Sequence, residues 1–408
     1  MLNAAVIVAA LGYFVDVYDL ILFGVVRSVS VLEVGVKPDE MLTLGMYPFH
    51  SQMIGMLLGG VLWGIFGDKK GRLKVLFGSI LMYSLANLAN AFVQDIWTYT
   101  ALRFIAGIGL AGELGAGITL VSEILPKNKR GYGTTIVATV GVLGAIFASL
   151  SAQFFDWRTC YIIGGVAGLA LLVLRVSVSE SKVYKQTHQK SHIKRGDLKM
   201  LFGDRKRFAR YIQCIFVGAP VWYALGIFMI LAPEFGKVAG LVDADGKSLV
   251  TSPKAIFYAY IGLTIGDLMS GVLSQIFKSR KKSLSFFIMT TAISCAYFVY
   301  RLPTMESPET LYSILIAIGF GAGYWAVFIT TSAEQFGTNL RATVATSVPN
   351  FVRGMASPIT WGFRELIPVT GSYSGAAIAV GVIVIGLSLA SLYKLKESFH
   401  TDLDFVEG

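Results

Sequence analysis

Charged side chains are scarce in this chain. Only 15% of its 408 residues are Asp, Glu, Lys or Arg, whereas about a quarter of the residues in a soluble protein are charged. The charges are also clustered, so that stretches such as 41–67, 131–155 and 366–393 contain none. Because about 20 apolar residues cross a bilayer as a helix, these stretches predict membrane-spanning segments.

Cysteine and histidine are also rare. The three cysteines lie singly in apolar segments, so the sequence suggests neither a disulfide framework nor a thiolate metal site. His188 and His192 lie four residues apart in a basic segment and are interpreted as a solvated pair. The chain has no Ser/His/Asp constellation and no phosphate-binding Gly-Lys-Ser/Thr loop. We therefore expect no enzyme activity, no built-in ATPase, no metal and no cofactor.

The apolar segments predict an all-α membrane protein. Backbone groups in lipid must be paired within the protein, and the segments lack the alternation of a barrel strand, so we expect helices. Twelve transmembrane helices are predicted at roughly 3–31, 42–66, 75–94, 97–125, 132–155, 159–178, 209–235, 253–277, 283–302, 309–332, 342–364 and 372–394. The first span is not expected to be a cleaved signal peptide, because it lacks a basic start and contains Asp16 and Asp19.

Lys and Arg are distributed unequally between the two sides of these spans. The loops after even-numbered spans and the tail hold 24 of them, and the opposite loops hold seven. Positive residues favour the cytoplasmic side, so both termini are predicted to be cytoplasmic, in a plasma (inner) membrane. This asymmetry accounts for most of the net charge of +10, and a nucleic-acid partner is not expected.

The chain contains an internal repeat. A shift of 211 residues places 66–70, which contains Asp68, on 277–281, and the same shift places 122–130 on 333–341. Two landmarks that share one offset indicate a duplicated membrane unit, which is the architecture of secondary transporters. We predict two pseudo-symmetric six-helix bundles, at 1–178 and 209–408 (the second with a cytoplasmic tail). A polar cytoplasmic linker at 179–208, with a short amphipathic helix on the membrane surface, joins them.

Several motifs resemble those of the major facilitator superfamily. They are Gly64-Ile-Phe-Gly-Asp-Lys-Lys-Gly-Arg72, Arg103-Phe-Ile-Ala-Gly-Ile-Gly109 and Ser122-Glu-Ile-Leu-Pro126 followed by Arg130-Gly131. Asp16-Val-Tyr-Asp-Leu20 resembles helix 1 of phosphate:proton and aromatic-acid:proton symporters. Ala111-Gly-Glu-Leu-Gly-Ala116 resembles a helix 4 pattern of phosphate and metabolite:proton symporters. The resemblance implies the twelve-helix fold of that superfamily and a transport function. One departure is Ser279, which stands where the repeat would have the acid Asp68.

Charges inside the membrane are functional candidates, because a charge at the bilayer centre costs roughly 2.5–3.5 kcal/mol on insertion scales. The candidates are Asp16, Asp19, Arg27, Arg103, Glu113, Arg175, Asp267 and Arg353. Asp16 and Asp19 are three residues apart and share a helix face. Two carboxylates this close in a low-dielectric cavity cannot both ionise cheaply, which suits a proton carrier.

The resemblance extends this proton-coupling site. In the superfamily, helices 1 and 4 are neighbours across the cavity, so Arg103 is expected to pair with Asp19 and to be released when Asp19 is protonated. A permanent structural ion pair is the alternative. Glu113 stands where the symporter pattern has its acid, and it is expected either to titrate or to bind a cationic part of the substrate. A glutamate hydrogen-bonded to a neighbouring helix is the alternative.

Arg353 is the candidate for gripping an anionic substrate. It lies near mid-depth in the second half, and a guanidinium forms paired hydrogen bonds to carboxylate or phosphate. An ion pair with Asp267 is the alternative. Aromatic and amide residues are also predicted to line the cavity, although packing is the commoner role of a membrane aromatic. They are Tyr13, Gln213, Trp222, Tyr223, Tyr324, Trp325 and Asn350.

A third group of charges lies at the cytoplasmic ends of the helices. These residues are Asp68, Arg72, Glu123, Arg130, Glu334 and Arg341. Glu123 with Arg130, and Glu334 with Arg341, put opposite charges around loop turns, so the group is predicted to latch the two bundles when the cytoplasmic side is shut. Charges that only set the membrane topology would explain the basic residues but not the acids.

These observations predict a secondary transporter. The leading hypothesis is a proton-coupled symporter that imports a small polar, anionic metabolite by alternating access, with its site at mid-membrane between the halves. An uncoupled uniporter, an exporter or antiporter, and a receptor built on the same fold remain alternatives. The expected partners are the substrate, protons and the lipid bilayer, and the chain is expected to function as a monomer.

Overall fold

The described part of the chain is built from helices. The structure is a computed structural model that describes residues 4–70, 72–112, 130–179, 198–399 and 407. Within these residues there is no β-strand, only an isolated bridge between Val242 and Ser248 in a loop. Eight of the described helices are long and apolar enough to cross a membrane. The prediction of an all-α membrane protein is confirmed.

The first six predicted spans correspond to one helix each. They are α1 (Ala4–Glu33), α2 (Tyr47–Lys70), α3 (Arg72–Asn90), α4 (Ile96–Leu110), α5 (Arg130–Phe154) and α6 (Trp157–Ser179). The fourth span was predicted to extend to residue 125, and the part beyond 112 lies outside the described residues. The predicted linker likewise lies outside them as far as residue 197.

The remaining described helices outnumber the six predicted spans, because three spans are interrupted and the first short helix lies in the predicted linker. They are α7 (Leu198–Gly203), α8 (Arg205–Tyr223), α9 (Ala232–Val238), α10 (Ser252–Ile276), α11 (Arg280–Arg301), α12 (Pro308–Ala322), α13 (Trp325–Glu334), α14 (Thr338–Gly354), α15 (Ala356–Thr370) and α16 (Tyr373–Lys394). A π-helical turn, Ala224–Met229, follows α8 and lies four residues after Pro220. The interrupted spans are α8 with α9, α12 with α13, and α14 with α15.

Two helices on the same face of the protein start with the same cap. The Asp95 carboxylate accepts the backbone N–H groups of Trp97 and Thr98 and the Thr98 hydroxyl at the start of α4. Asp156 repeats the arrangement with Thr159 at the start of α6. The bonds from Thr98 hold the pKa of Asp95 below its usual value. An Asp-x-x-Thr sequence therefore fixes where both helices begin.

The helices in each half pack at glycines that let two backbones touch. A Cβ added at Gly55 or Gly107 would overlap a backbone oxygen between α2 and α4, and one added at Gly262 or Gly319 would do the same between α10 and α12. Gly55 corresponds in packing to Gly262, whereas the single repeat offset had aligned it with Gly266. The sequence offset therefore identifies the repeat but not the packing register of these helices.

The two halves repeat one pattern of neighbours. In the first half α1 packs on α5, α2 on α4 and α3 on α6; in the second, α8 packs on α14, α10 on α12 and α11 on α16. The halves meet where α5 and α1 pack on α10 and where α2 packs on α14. Two pseudo-symmetric bundles are thus confirmed, and α1, α10 and α14 carry the predicted charges to their interface.

Candidate functional site

The centre of the site is an ion pair between the two halves. An Arg353 Nη2 of α14 lies 3.5 Å from an Asp16 Oδ2 of α1, and both side chains are buried. Among the described residues, the Nε and Nη1 of Arg353 have no hydrogen-bond partner. The guanidinium therefore holds one carboxylate and retains donors for a second anionic group.

Aromatic side chains lie near this pair. Tyr13, one turn before Asp16 on α1, lies close to Trp325 and within the electrostatic field of Arg353 and Asp267. Its ring packs against Gly141 of α5, where an added Cβ would overlap it. Tyr260 of α10 also lies close to Arg353 and Tyr13 and is buried. Tyr13 and Tyr260 thus contribute one ring from each half near Arg353, and Trp325 lies beside Tyr13.

Asp267 is not the partner of Arg353, which the sequence had left as an alternative. Its Oδ1 accepts the backbone N–H of Ala326 at 2.9 Å, in the first turn of α13. The helix is interrupted between Ala322 and Trp325. The backbone N–H groups in the first turn of α13 therefore lack helical acceptors and attract a carboxylate. Asp267 therefore stabilises the helix interruption beside the site, and Arg353 pairs with Asp16 instead.

Arg103 lies next to Asp19, although it does not bond to the carboxylate. Its Nη2 donates to the backbone carbonyl of Asp19 at 3.2 Å, and its Nη1 donates to the Asn87 side chain at 2.9 Å. The guanidinium carbon also lies 5.4 Å from the centre of the Tyr161 ring. The predicted neighbourhood is present, but Arg103 is anchored by neutral acceptors.

The carboxylates of Asp16 and Asp19 lie in different surroundings. Asp16 reaches α14 of the second half, whereas a Cβ added at Gly164 of α6 would overlap the Asp19 carboxylate. Asp19 is therefore buried inside the first bundle, behind Asp16. The charge on each still affects the other, since the side chains are three residues apart on one helix.

The other predicted cavity residues divide into two groups. Asn350 and Trp222 lie between the halves: Asn350 donates to the Ala111 carbonyl at 3.1 Å, and the Trp222 ring centre is 6.5 Å from that of Phe49. Tyr223 and Tyr324 instead donate to carbonyls of their own half, those of Ala377 and Val217. These two tyrosines belong to the packing of the second bundle, and Gln213 is half-buried on α8.

One residue of the predicted cytoplasmic latch, Glu334, is bonded within the second half. It pairs with Arg280 at 3.3 Å and accepts the Ser398 hydroxyl. The pair forms where α13 ends against the start of α11, which presents Arg280 first. Glu113 and Glu123 lie outside the described residues, as do the side chains of Asp68, Arg72 and Arg130.

Sequence reasoning missed Tyr260, Asn87 and Tyr161. Tyr260 precedes Asp267 by seven residues, two helical turns, so a shared face with a buried acid was a usable signal. Asn87 and Tyr161 carried no such signal, because their partner Arg103 lies on another helix. No group of three His, Cys, Asp or Glu side chains in the described ranges is placed to hold a metal.

Known proteins resemble this chain over nearly its whole length. The family model described as Major Facilitator Superfamily matches residues 5–360. The niacin transporter NiaP of Acinetobacter baylyi is 28% identical, with 96% of this chain and 94% of that protein covered. The gentisate transporter of Corynebacterium glutamicum is 27% identical, with 83% and 76% covered.

A solved structure has a similar fold. The proton:xylose symporter XylE bound to 6-bromo-6-deoxy-D-glucose matches with a TM-score of 0.72 and 16% identity, covering 98% of this chain and 97% of that chain. This likeness concerns the arrangement of helices, which agrees with the pattern of neighbours described above.

Proposed function

This chain belongs to the Major Facilitator Superfamily, a family of transporters, and from that premise we propose that it is a proton-coupled symporter that imports a small aromatic carboxylate. The observation that carries the proposal is the buried ion pair of Asp16 and Arg353 between the halves. A secondary transporter binds its substrate at mid-membrane between two bundles, and this pair lies in that position.

The surroundings of Arg353 favour an aromatic acid as the substrate. A guanidinium binds carboxylates through paired hydrogen bonds, and two of its nitrogens have no hydrogen-bond partner among the described residues. Tyr13 and Tyr260 supply aromatic surface near it, and Trp325 lies beside Tyr13. The names of similar proteins point the same way, since niacin, gentisate and benzoate are all single-ring carboxylic acids.

Asp16 supplies the coupling to protons. When Asp16 is ionised, its carboxylate pairs with Arg353. When Asp16 is protonated, the pair is broken and the guanidinium can bind a substrate carboxylate. Both states hold one positive and one negative charge at the pair, so neither leaves an uncompensated charge, which would be costly in this buried position. Proton and monovalent anion therefore enter together, and the transport step is electroneutral.

Release follows from the reverse exchange. When the site opens to the more alkaline cytoplasm, Asp16 loses its proton and competes with the substrate for Arg353. Asp19 and Arg103 remain part of the proposed coupling site, because two carboxylates one helical turn apart disfavour simultaneous ionisation. Because the outside is more acidic than the cytoplasm, the proton gradient drives import.

Uptake of labelled nicotinate and benzoate into liposomes tests this function. We expect accumulation when the lumen is made alkaline and no response to an imposed membrane potential. Asp16→Asn should still bind and exchange substrate, since its side chain cannot compete as an anion, but it should not accumulate substrate. Arg353→Gln should lose binding by about tenfold or more, equivalent to at least ~1.4 kcal/mol.

A matched control is Arg364→Gln on α15. Arg364 pairs with its exposed neighbour Glu365, so its loss should leave binding unchanged. Substrate uptake that ignores the pH gradient in the unaltered protein would indicate a uniporter. Full binding by Arg353→Gln would move the substrate site away from the ion pair.

A further inference from the structure

A second ion pair joins the halves on the face opposite the start of α1. Arg27 of α1 pairs with Glu234 of α9, and the two side chains are 0% and 11% exposed. Another guanidinium nitrogen of Arg27 donates to the Met41 carbonyl at 3.2 Å. Arg27 follows Asp16 by eleven residues, which is about 16 Å along a helix. The basic loops predict that this face is external.

The contact around this pair is closely packed. The hydroxyls of Ser28 and Ser252 are 3.2 Å apart, again between α1 and the second half. A Cβ added at Gly24 would lie 3.1 Å from Ile230, so the two halves approach closely one turn away. Ile230 itself is 2% exposed. The external ends of the halves are therefore closed against each other at this point.

We propose that Arg27 and Glu234 form the external gate of the transport cycle. This inference rests on the proposed alternating access, and it depends neither on the substrate nor on proton coupling. α1 contributes the acid to the mid-membrane pair and the base to the external pair, and both pairs cross from one half to the other. The external side opens when α1 separates from α9, and that movement breaks the outer pair.

An ion pair is suited to a contact that must open repeatedly. In the closed state the attraction of the two charges is offset by the loss of their hydration, so the net stabilisation is modest. In the open state water solvates both charges. If one partner is removed, the other is buried without compensation whenever the gate closes, and the population shifts toward the open state.

Alkylation of a single reporter cysteine measures this shift without substrate. Ile230→Cys places a thiol in the closed contact, and a membrane-impermeant maleimide is added to the external side of proteoliposomes. The native cysteines at 160, 214 and 295 are buried, and the protein without the reporter corrects for their reaction. We expect Glu234→Gln or Arg27→Gln to raise the labelling rate about tenfold, equivalent to ~1.4 kcal/mol in the closing equilibrium.

The charge-swapped double variant Arg27→Glu with Glu234→Arg should return the rate toward that of the reporter protein. Glu33→Gln is the matched control, because Glu33 pairs with Arg158 on the same face but within the first half. Arg27→Lys retains the charge and is used if Arg27→Gln fails to fold. Unchanged labelling in the folded single variants, or equal increases in Glu33→Gln, would overturn the gate. These outcomes are independent of whether nicotinate is transported.

Discussion

Gly164 controls where the carboxylate of Asp19 can lie. A Cβ at this position of α6 would overlap the Asp19 Oδ1 and would lie 2.9 Å from Tyr18 Cε1. The Tyr18 hydroxyl is itself fixed, since it donates to the Cys160 carbonyl at 2.8 Å. The acid, and not the tyrosine, must therefore move to accept a larger residue at 164.

We predict that Gly164→Ala impairs coupled uptake more than it impairs folding. The methyl group displaces the Asp19 carboxylate from its place near Arg103 and changes the field at Asp16. Accumulation of nicotinate should fall by about tenfold or more, which corresponds to ~1.4 kcal/mol. Gly386→Ala on α16 is the control, because nothing lies within 4 Å of its added Cβ. Normal uptake by Gly164→Ala would show that the position of Asp19 does not matter for coupling.

At this scale the sequence identifies the charged residues but not their partners. Asp16 and Arg353 could be singled out because charges are rare in apolar segments, where each is costly. Their pairing joins residues 337 positions apart, and no local pattern reports such a contact. The predicted alternative, Asp267, was wrong because a break in another helix supplied free N–H groups that attract it.

At the scale of elements, paired helices are held together by glycines at their crossings. A Cβ at Gly319 of α12 would overlap the backbone oxygen of Ala259 in α10, and Gly107 of α4 meets Gln52 of α2 in the same way. Backbone oxygens cannot move aside as the end of a flexible side chain can. The crossing distance is therefore set by the absence of a side chain.

We expect Gly319→Ala to destabilise the protein by about 1–3 kcal/mol, as overpacking of a close contact does. The thermal midpoint of the detergent-solubilised protein measures the effect. Gly271→Ala in α10 is the matched control: nothing lies within 4 Å of its added Cβ, so the substitution should be neutral or slightly stabilising. An unchanged midpoint in Gly319→Ala would mean that the crossing can widen freely.

The helices themselves were predictable, while their interruptions were only partly so. Charge-free stretches of about 20 residues follow directly from the thickness of the bilayer. The π-helical turn after Tyr223 follows Pro220, a local signal, whereas the break before Trp325 is accompanied by a tertiary partner, the Asp267 cap. A single repeat offset likewise did not predict which glycines make equivalent contacts in the two halves, because the packing of each helix pair sets its own register.

Across the whole molecule, the C-terminal tail closes the second bundle at the predicted cytoplasmic face. Glu397, three residues beyond α16, accepts the backbone N–H groups of Arg280 and Lys281 at the start of α11, and it also accepts the Ser279 hydroxyl. Ser398 bonds to Glu334 at the end of α13. The tail thereby joins three helices that are distant in sequence.

We predict that this closure weakens in acid. Burial alone would raise the pKa of Glu397, but the hydrogen bonds from the Ser279 hydroxyl and from the backbone N–H groups of Arg280, Phe399 and Lys281 together outweigh it and hold the pKa below the ordinary 4.5. A lowered folded-state pKa means that the ionised group stabilises the fold above the unfolded pKa, and that this stabilisation is lost as the pH falls through the folded value.

Glu397→Gln should therefore lower the thermal midpoint near neutral pH, and its difference from the unaltered protein should shrink below about pH 4. Glu306→Gln, at an exposed position before α12, should show no such convergence. Because each variant is compared with the parent at every pH, the titration of the remaining carboxylates cancels. A difference that stays constant from neutral to acid would show that the shape of Glu397, and not its charge, holds the tail against α11.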